Sequence, residues 1–120
     1  MIGIVTGASS GIGAEFCRVL DSKGLECIWL IARRADRLEE LSHSLRTPCR
    51  VITADLSTPE GIRTVTRAVE EERPDISFLI NCAGFGRFGK TWEVSSDDTS
   101  SMISVNVTAL VEITRACIPF

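Results

Sequence analysis

The stretch TGASSGIG, Thr6 to Gly13, places glycines at positions 7, 11 and 13, directly after the apolar run Ile2–Val5 and directly before a segment of helical period. Glycine is used where the backbone must turn sharply or come into close contact with another group. Three of them between a strand and a helix leave a turn whose N–H groups no side chain covers. The start of a helix collects anions on such groups, helped by a dipole contribution of roughly 0.3–1 kcal/mol. In this spacing Gly7 permits the tight turn out of the strand, Gly11 lets backbone approach a pyrophosphate, and Gly13 lets helix lie close on strand. A glycine-rich turn alone is compatible with plain turn chemistry. Its place between strand and helix of the first βαβ unit directs the reading towards a dinucleotide.

The rest of the chain has the matching rhythm. Short apolar runs, Ile2–Thr6, Cys27–Ala32, Cys49–Thr53 and Ile76–Ile80, alternate with segments of helical period, the signature of a parallel sheet with helices on its faces. Ile12, Phe16, Val19 and Leu20 predict one apolar helix face, Leu38, Leu41 and Leu45 a second, and Ile62, Val65 and Val69 a third. The third helix opens on STPE, which offers a capping box from Ser57 to Glu60 with Pro59 at the first helical position. After a glycine-bearing loop over 81–94, a last helix starts near Ser95 or Ser96. Met102, Val105, Ala109, Leu110 and Ile113 give it an apolar face. The expected architecture is α/β: a Rossmann-type doubly wound parallel sheet in three layers, one domain over residues 1–120, with strand order 3-2-1-4. It is expected to be truncated after the fourth strand and the helix that follows.

Charge and cysteine usage exclude several classes. The net charge is −3 and the 13 Lys and Arg residues are scattered, so no nucleic-acid or anionic-membrane partner is expected. Five cysteines, Cys17, Cys27, Cys49, Cys82 and Cys117, are odd in number and widely spaced, which fits neither a disulfide framework nor a zinc site. They read as small buried hydrophobes. The longest apolar run, Cys27–Ala32, is too short to span a bilayer, and a cytoplasmic setting is expected. No metal is expected, and the one histidine, His43, reads as a solvated surface residue.

Immediately after the second strand a site that reads an unmodified ribose hydroxyl needs an acidic residue. This chain has Arg33 and Arg34 instead. Guanidinium suits the charge and planar oxygen sets of a 2′-phosphate, so NADP is preferred over NAD, the other reading being a solvated basic corner. Phe85, Phe88 and Trp92 follow the fourth strand, where they either border a substrate pocket or cover the end of the sheet.

TGASSGIG, DLS at Asp55–Ser57, NCAG at Asn81–Gly84 and MISVNV around Asn106 together resemble the successive motifs of the short-chain dehydrogenase/reductase family over nearly all 120 residues. The resemblance implies hydride transfer between NADP(H) and an alcohol or carbonyl substrate. It also implies cofactor contacts at Gly7, Ser9, Ser10, Gly11, Ile12, Gly13, Arg33, Arg34, Asp55, Leu56, Asn81, Ala83 and Gly84. Asp55 would contact the adenine amino group, Ala83 and Gly84 would line the cofactor, and Asn106 is the catalytic candidate, organising a proton relay. Two departures matter: Cys82 stands where the family motif has a second Asn, and Ser10 where NADP-using members often have a basic residue. The 2′-phosphate is thus expected to rest on Arg33 and Arg34 alone.

The same resemblance implies a tyrosine proton donor, with a lysine four residues later and a serine upstream. Tyrosine has an ordinary pKa of about 10, so a neighbouring ammonium must lower it for acid–base work near neutrality. The chain contains no tyrosine. It is therefore expected to be inactive in carbonyl reduction by itself, as a shortened oxidoreductase or, alternatively, a nonenzymatic nucleotide-binding or protein-interaction module. An unpaired fourth strand is expected to promote self-association.

Overall fold

A computed structural model describes residues 1–120 and turns this alternation into four parallel strands and their crossovers. The order along the chain is β1 (Ile2–Thr6), α1 (Gly11–Leu20), β2 (Cys27–Ala32), α2 (Ala35–Ser44), β3 (Cys49–Thr53), α3 (Pro59–Glu72) and β4 (Ile76–Asn81). Then come α4 (Ser96–Ile103), a π-helical turn over Ser104–Thr108, and α5 (Ala109–Cys117). The sheet order is β3-β2-β1-β4, as the sequence predicts. Register places Ile4 between Trp29 and Leu79, and Leu30 between Val5 and Val51. The chain steps outward from β1 to β3, then crosses back to the other side of β1. That reversal opens a crevice at the carboxyl ends of β1 and β4, where doubly wound sheets bind their ligands.

Both faces of the sheet are covered, which is why β2 is a continuous apolar run rather than an alternating one. On one face Ile4, Trp29, Ile31 and Ile52 pack with Ile62, Val65 and Val69 of α3 and Ala109, Ile113 and Cys117 of α5. On the other, Val5, Ile28 and Leu30 meet Ala14, Cys17 and Leu20 of α1 and Leu38 and Leu41 of α2. β4 pairs only with β1. Its Phe78 remains exposed. No helix is long and apolar enough to cross a membrane.

Three sequence expectations are corrected here. The buried face of α1 consists of Gly13, Ala14, Cys17 and Leu20, while Ile12, Phe16 and Val19 point outward. α1 lies so close to the sheet that only small residues fit beneath it along most of its length, so the larger residues turn away. The cap of α3 is Thr58, whose hydroxyl accepts from Gly61 N–H at 3.0 Å, because the Ser57 hydroxyl is already donated to Asp55. Pro59 does open the helix. The last helix, expected as one regular element, is interrupted by the π turn, and Leu110 is exposed while Ala109, Ile113 and Cys117 are buried. All five cysteines are free; Cys17 and Cys117 are buried and the other three half-buried. His43 is exposed.

The end of α1 is tied to the turn before β3 through Asp21. Its Oδ1 accepts from the Arg46 and Thr47 backbone N–H groups at 2.9 and 2.7 Å. Hydrogen bonds from Thr47 and Arg46 hold this carboxyl below its ordinary range, with desolvation opposing. A group whose pKa is lowered by folding adds stability above its unfolded pKa and loses it as pH falls through the folded one. Urea titrations are therefore expected to give Asp21→Asn a lower midpoint than the parent at pH 7. The difference shrinks as pH falls below about 4, the ordinary range of an aspartate; a pH-independent gap contradicts the assignment.

Candidate functional site

At the carboxyl ends of the strands lies a cavity of about 550 Å³. Its floor is the turn leaving β1. Gly7 has φ +65°, and a Cβ there would stand 2.7 Å from the Cys82 carbonyl carbon and oxygen. A Cβ on Gly13 would stand 2.7 Å from the carbonyl carbon of Gly7. Backbone of β1, α1 and β4 thus converges with no side chain between. At Gly11 the Cβ position is open space, and the residue has the left-handed φ of +54°. The buried Thr6 hydroxyl accepts the Ala83 N–H at 3.1 Å, fixing the exit of β4 against β1.

Ser9, Ser10 and Ile12 line the same cavity. Ser10 is the residue before the first turn of α1, and its side chain makes no capping hydrogen bond. The first N–H groups of α1, which have no partner within the helix, are therefore left to a ligand or to water. Across the cavity Arg33 and Arg34 leave β2, exposed, with no carboxylate paired to either.

The segment just after β3 contributes Ala54, Asp55, Leu56 and Ser57. The Asp55 Oδ1 accepts from Ser57 Oγ at 2.7 Å and Ser57 N–H at 3.0 Å. The Ser57 hydroxyl is the main influence holding the Asp55 carboxyl below the usual range; the Ser57 N–H and the Arg33 charge add to it against partial desolvation. Asp55 is thus an anionic acceptor at neutral pH. The loop just after β4 contributes Cys82, Ala83 and Gly84. Burial pushes the Cys82 thiol up, and the residue contributes to the wall of the cavity.

Two expected residues lie elsewhere. Asn81 does not line the cavity: its amide donates to Thr114 Oγ1 at 3.1 Å, joining β4 to α5. Asn106 sits in the π turn just beyond Val105, which does line it. The Asn106 Oδ1 accepts from Phe85 N–H at 3.1 Å and its Nδ2 donates to the Phe85 carbonyl at 2.7 Å. Both ends of the amide are engaged by the loop after β4, so the side chain acts as a clamp. Ser104 in the same turn donates to the Leu56 carbonyl at 3.0 Å, tying the π turn to the end of β3. Single π turns of this kind recur at functional sites.

Of the three aromatics, only Phe85 lines the cavity, with the Arg87 guanidinium 5.5 Å from its ring centre. Phe88 and Trp92 stand exposed outside it. Residues missed from sequence complete the wall: Arg37 from α2, Arg87 with Asp98 at 3.6 Å, and Ser101. Arg37 was detectable as the residue one helical turn after Arg34; Arg87 and Ser101 depend on a loop path that no local pattern encodes.

The family model described as short chain dehydrogenase matches residues 2–120. An uncharacterized oxidoreductase of Staphylococcus epidermidis is 30% identical over 119 residues, covering 99% of this chain and 51% of the relative. A short-chain dehydrogenase from Sphingobium yanoikuyae, solved in complex with NADPH, superposes with TM-score 0.91 at 31% identity, over 98% of this chain and 47% of that one. The bulky-bulky ketone specific alcohol dehydrogenase from Comamonas testosteroni gives TM-score 0.91 at 29% identity, over 98% and 48%. The chain spans about half the length of the relatives it matches.

The clamp has a thermodynamic signature. A Cβ on Gly84 would stand 2.6 Å from Asn106 Oδ1. Gly84→Ala is expected to cost about 1–3 kcal/mol by overpacking, and Asn106→Ala about 1–2 kcal/mol through its two lost hydrogen bonds. With the amide gone, the added methyl has room, so the double variant is less destabilised than the summed singles by about 1 kcal/mol in urea unfolding. Simple additivity contradicts the contact.

Proposed function

The chain belongs to the short chain dehydrogenase family, and from that premise we propose that its cavity holds NADP(H) for hydride exchange between an alcohol and a carbonyl compound. The observation that carries this reading is the bare turn between β1 and α1, facing two arginines without carboxylate partners across one cavity. A dinucleotide with a 2′-phosphate has a charged group for each. The NADPH-bound Sphingobium relative supports the nucleotide, and the Comamonas relative's ketone specificity supports the substrate class.

When bound, NADP(H) supplies or accepts the hydride. The chain's own residues do the rest. Gly7, Ser9, Ser10, Gly11, Ile12 and Gly13 present the backbone that receives the diphosphate. Arg33 and Arg34 hold the 2′-phosphate. Asp55, in its acceptor form, and Leu56 border the adenine, while Ala83 and Gly84 border the nicotinamide half. Asn106 is a positioning residue, holding the loop after β4 through Phe85. Asn81 supports the site from behind through Thr114.

A second reading, a nonenzymatic nucleotide-binding module, is favoured by one observation: these 120 residues contain no tyrosine to serve as proton donor. Fluorescence titration and turnover assays separate the readings. The protein is expected to bind NADPH about tenfold or more tighter than NADH, and Arg33→Asp to abolish the preference. Equal affinities before and after substitution remove the basis for NADP. The 120-residue chain is expected to show no NADPH-dependent reduction of ketones or aldehydes; turnover surviving repurification means that it carries its own proton donor.

A further inference from the structure

Resting on the dinucleotide reading above, we propose that Asp98 and Met102 are positioning residues for the nicotinamide half of the nucleotide, holding in place the cavity wall formed by Phe85 and Arg87. Asp98 and Met102 belong to α4 and Asn106 to the π turn. Spaced four residues apart, the three follow one another along one side of the helical segment. All of them reach the same short stretch of the loop after β4. Asp98 Oδ2 lies 3.6 Å from Arg87 Nε, Met102 Sδ accepts from the Arg87 N–H at 3.3 Å, and Asn106 holds both backbone groups of Phe85. A four-residue step overshoots a regular helical turn by about 40°. The π turn, with more residues per turn, offsets that drift where Asn106 sits.

The loop has little order of its own. Glycines stand at 84, 86 and 89, and glycine loses more conformational freedom on ordering than any other residue. Beyond Arg87 the grip ends: Phe88 is fully exposed, and the Glu93 and Val94 N–H groups return to the Lys90 carbonyl at 2.8 and 3.3 Å. The contacts from the helix thus fall on Phe85 and Arg87, the two residues after Gly84 in this loop that line the cavity. Helix stability alone does not explain the choice of side chains. Asp97, also in the first turn of α4, serves the helix dipole equally and forms no ion pair. At the half-buried position 102, leucine has a helix propensity like that of methionine but offers no acceptor. Met102 does not itself line the cavity, so it acts through Arg87. A wall already fixed by folding needs less ordering when the nucleotide arrives, which raises affinity.

The test measures NADPH by fluorescence titration and, by competition, 2′,5′-ADP, which lacks the nicotinamide half. Met102→Leu nearly keeps the side-chain volume and removes the acceptor. It is expected to weaken NADPH about threefold, and the double variant Asp98→Ala, Met102→Leu about tenfold. Binding of 2′,5′-ADP is expected to stay within about twofold of the parent in both, which also shows that the variants are folded. Met102→Gln returns an oxygen acceptor at similar reach and is expected to recover the parent's NADPH affinity. An unchanged NADPH affinity in the double variant, an equal loss for both ligands, or a glutamine variant as weak as the leucine one overturns the positioning role while leaving the dinucleotide reading intact. A parent protein that binds neither ligand overturns both.

Discussion

At the carboxyl end of β1 three stretches of backbone meet with no side chain between them. The Gly7 position faces the Cys82 carbonyl, and the Gly13 position faces that of Gly7. Everything about the site follows from that contact. Because α1 sits directly on the turn, its first N–H groups open into the crevice instead of being covered by a longer connection. Because the turn rests on β4, the Thr6 hydroxyl reaches Ala83 and sets the opposite wall. A methyl group at either glycine would force the elements apart by more than a packing adjustment can absorb, since its neighbour is backbone rather than a movable side-chain tip.

Around this junction the chain distributes charge asymmetrically. Elsewhere most cations sit beside carboxylates, some on their own helix, as Arg18 does with Glu15 and Arg63 with Glu60; such exposed pairs contribute little to stability. Beside the cavity Arg33, Arg34 and Arg37 are left without them. The far end is held mechanically instead. Asn106 in the π turn grips Phe85, Ser104 grips Leu56, and Asn81 grips Thr114, so three side chains connect the last helical segments to the ends of β3 and β4. One end of the cavity is thus suited to anions and the other is a stiffened frame.

Much of this was legible in the sequence because it is local. Glycine spacing, β-branched runs, Pro59 and the doublet Arg33-Arg34 each declare themselves within a few residues, and the strand order follows from handedness rules. What was not legible depends on how closely elements approach. The apolar spacing of Ile12, Phe16 and Val19 looked like a core face. Contact between α1 and the sheet is so tight that Gly13, Ala14 and Cys17 took that place. Asn81 has the right motif, but its amide turns towards a partner 33 residues away. The π turn at Asn106 inserts an irregularity that helical period alone cannot reveal, and it sends Leu110 outward.

The most direct test of the account is an amide ¹H–¹⁵N spectrum of the protein titrated with NADP⁺. The largest shifts are expected at the backbone N–H groups of Ser9 to Gly13, where no side chain shields the turn, with a second group at Arg33 and Arg34. Saturating nucleotide that leaves Ser9 to Gly13 unmoved, or shifts concentrated away from the carboxyl ends of the strands, would contradict it.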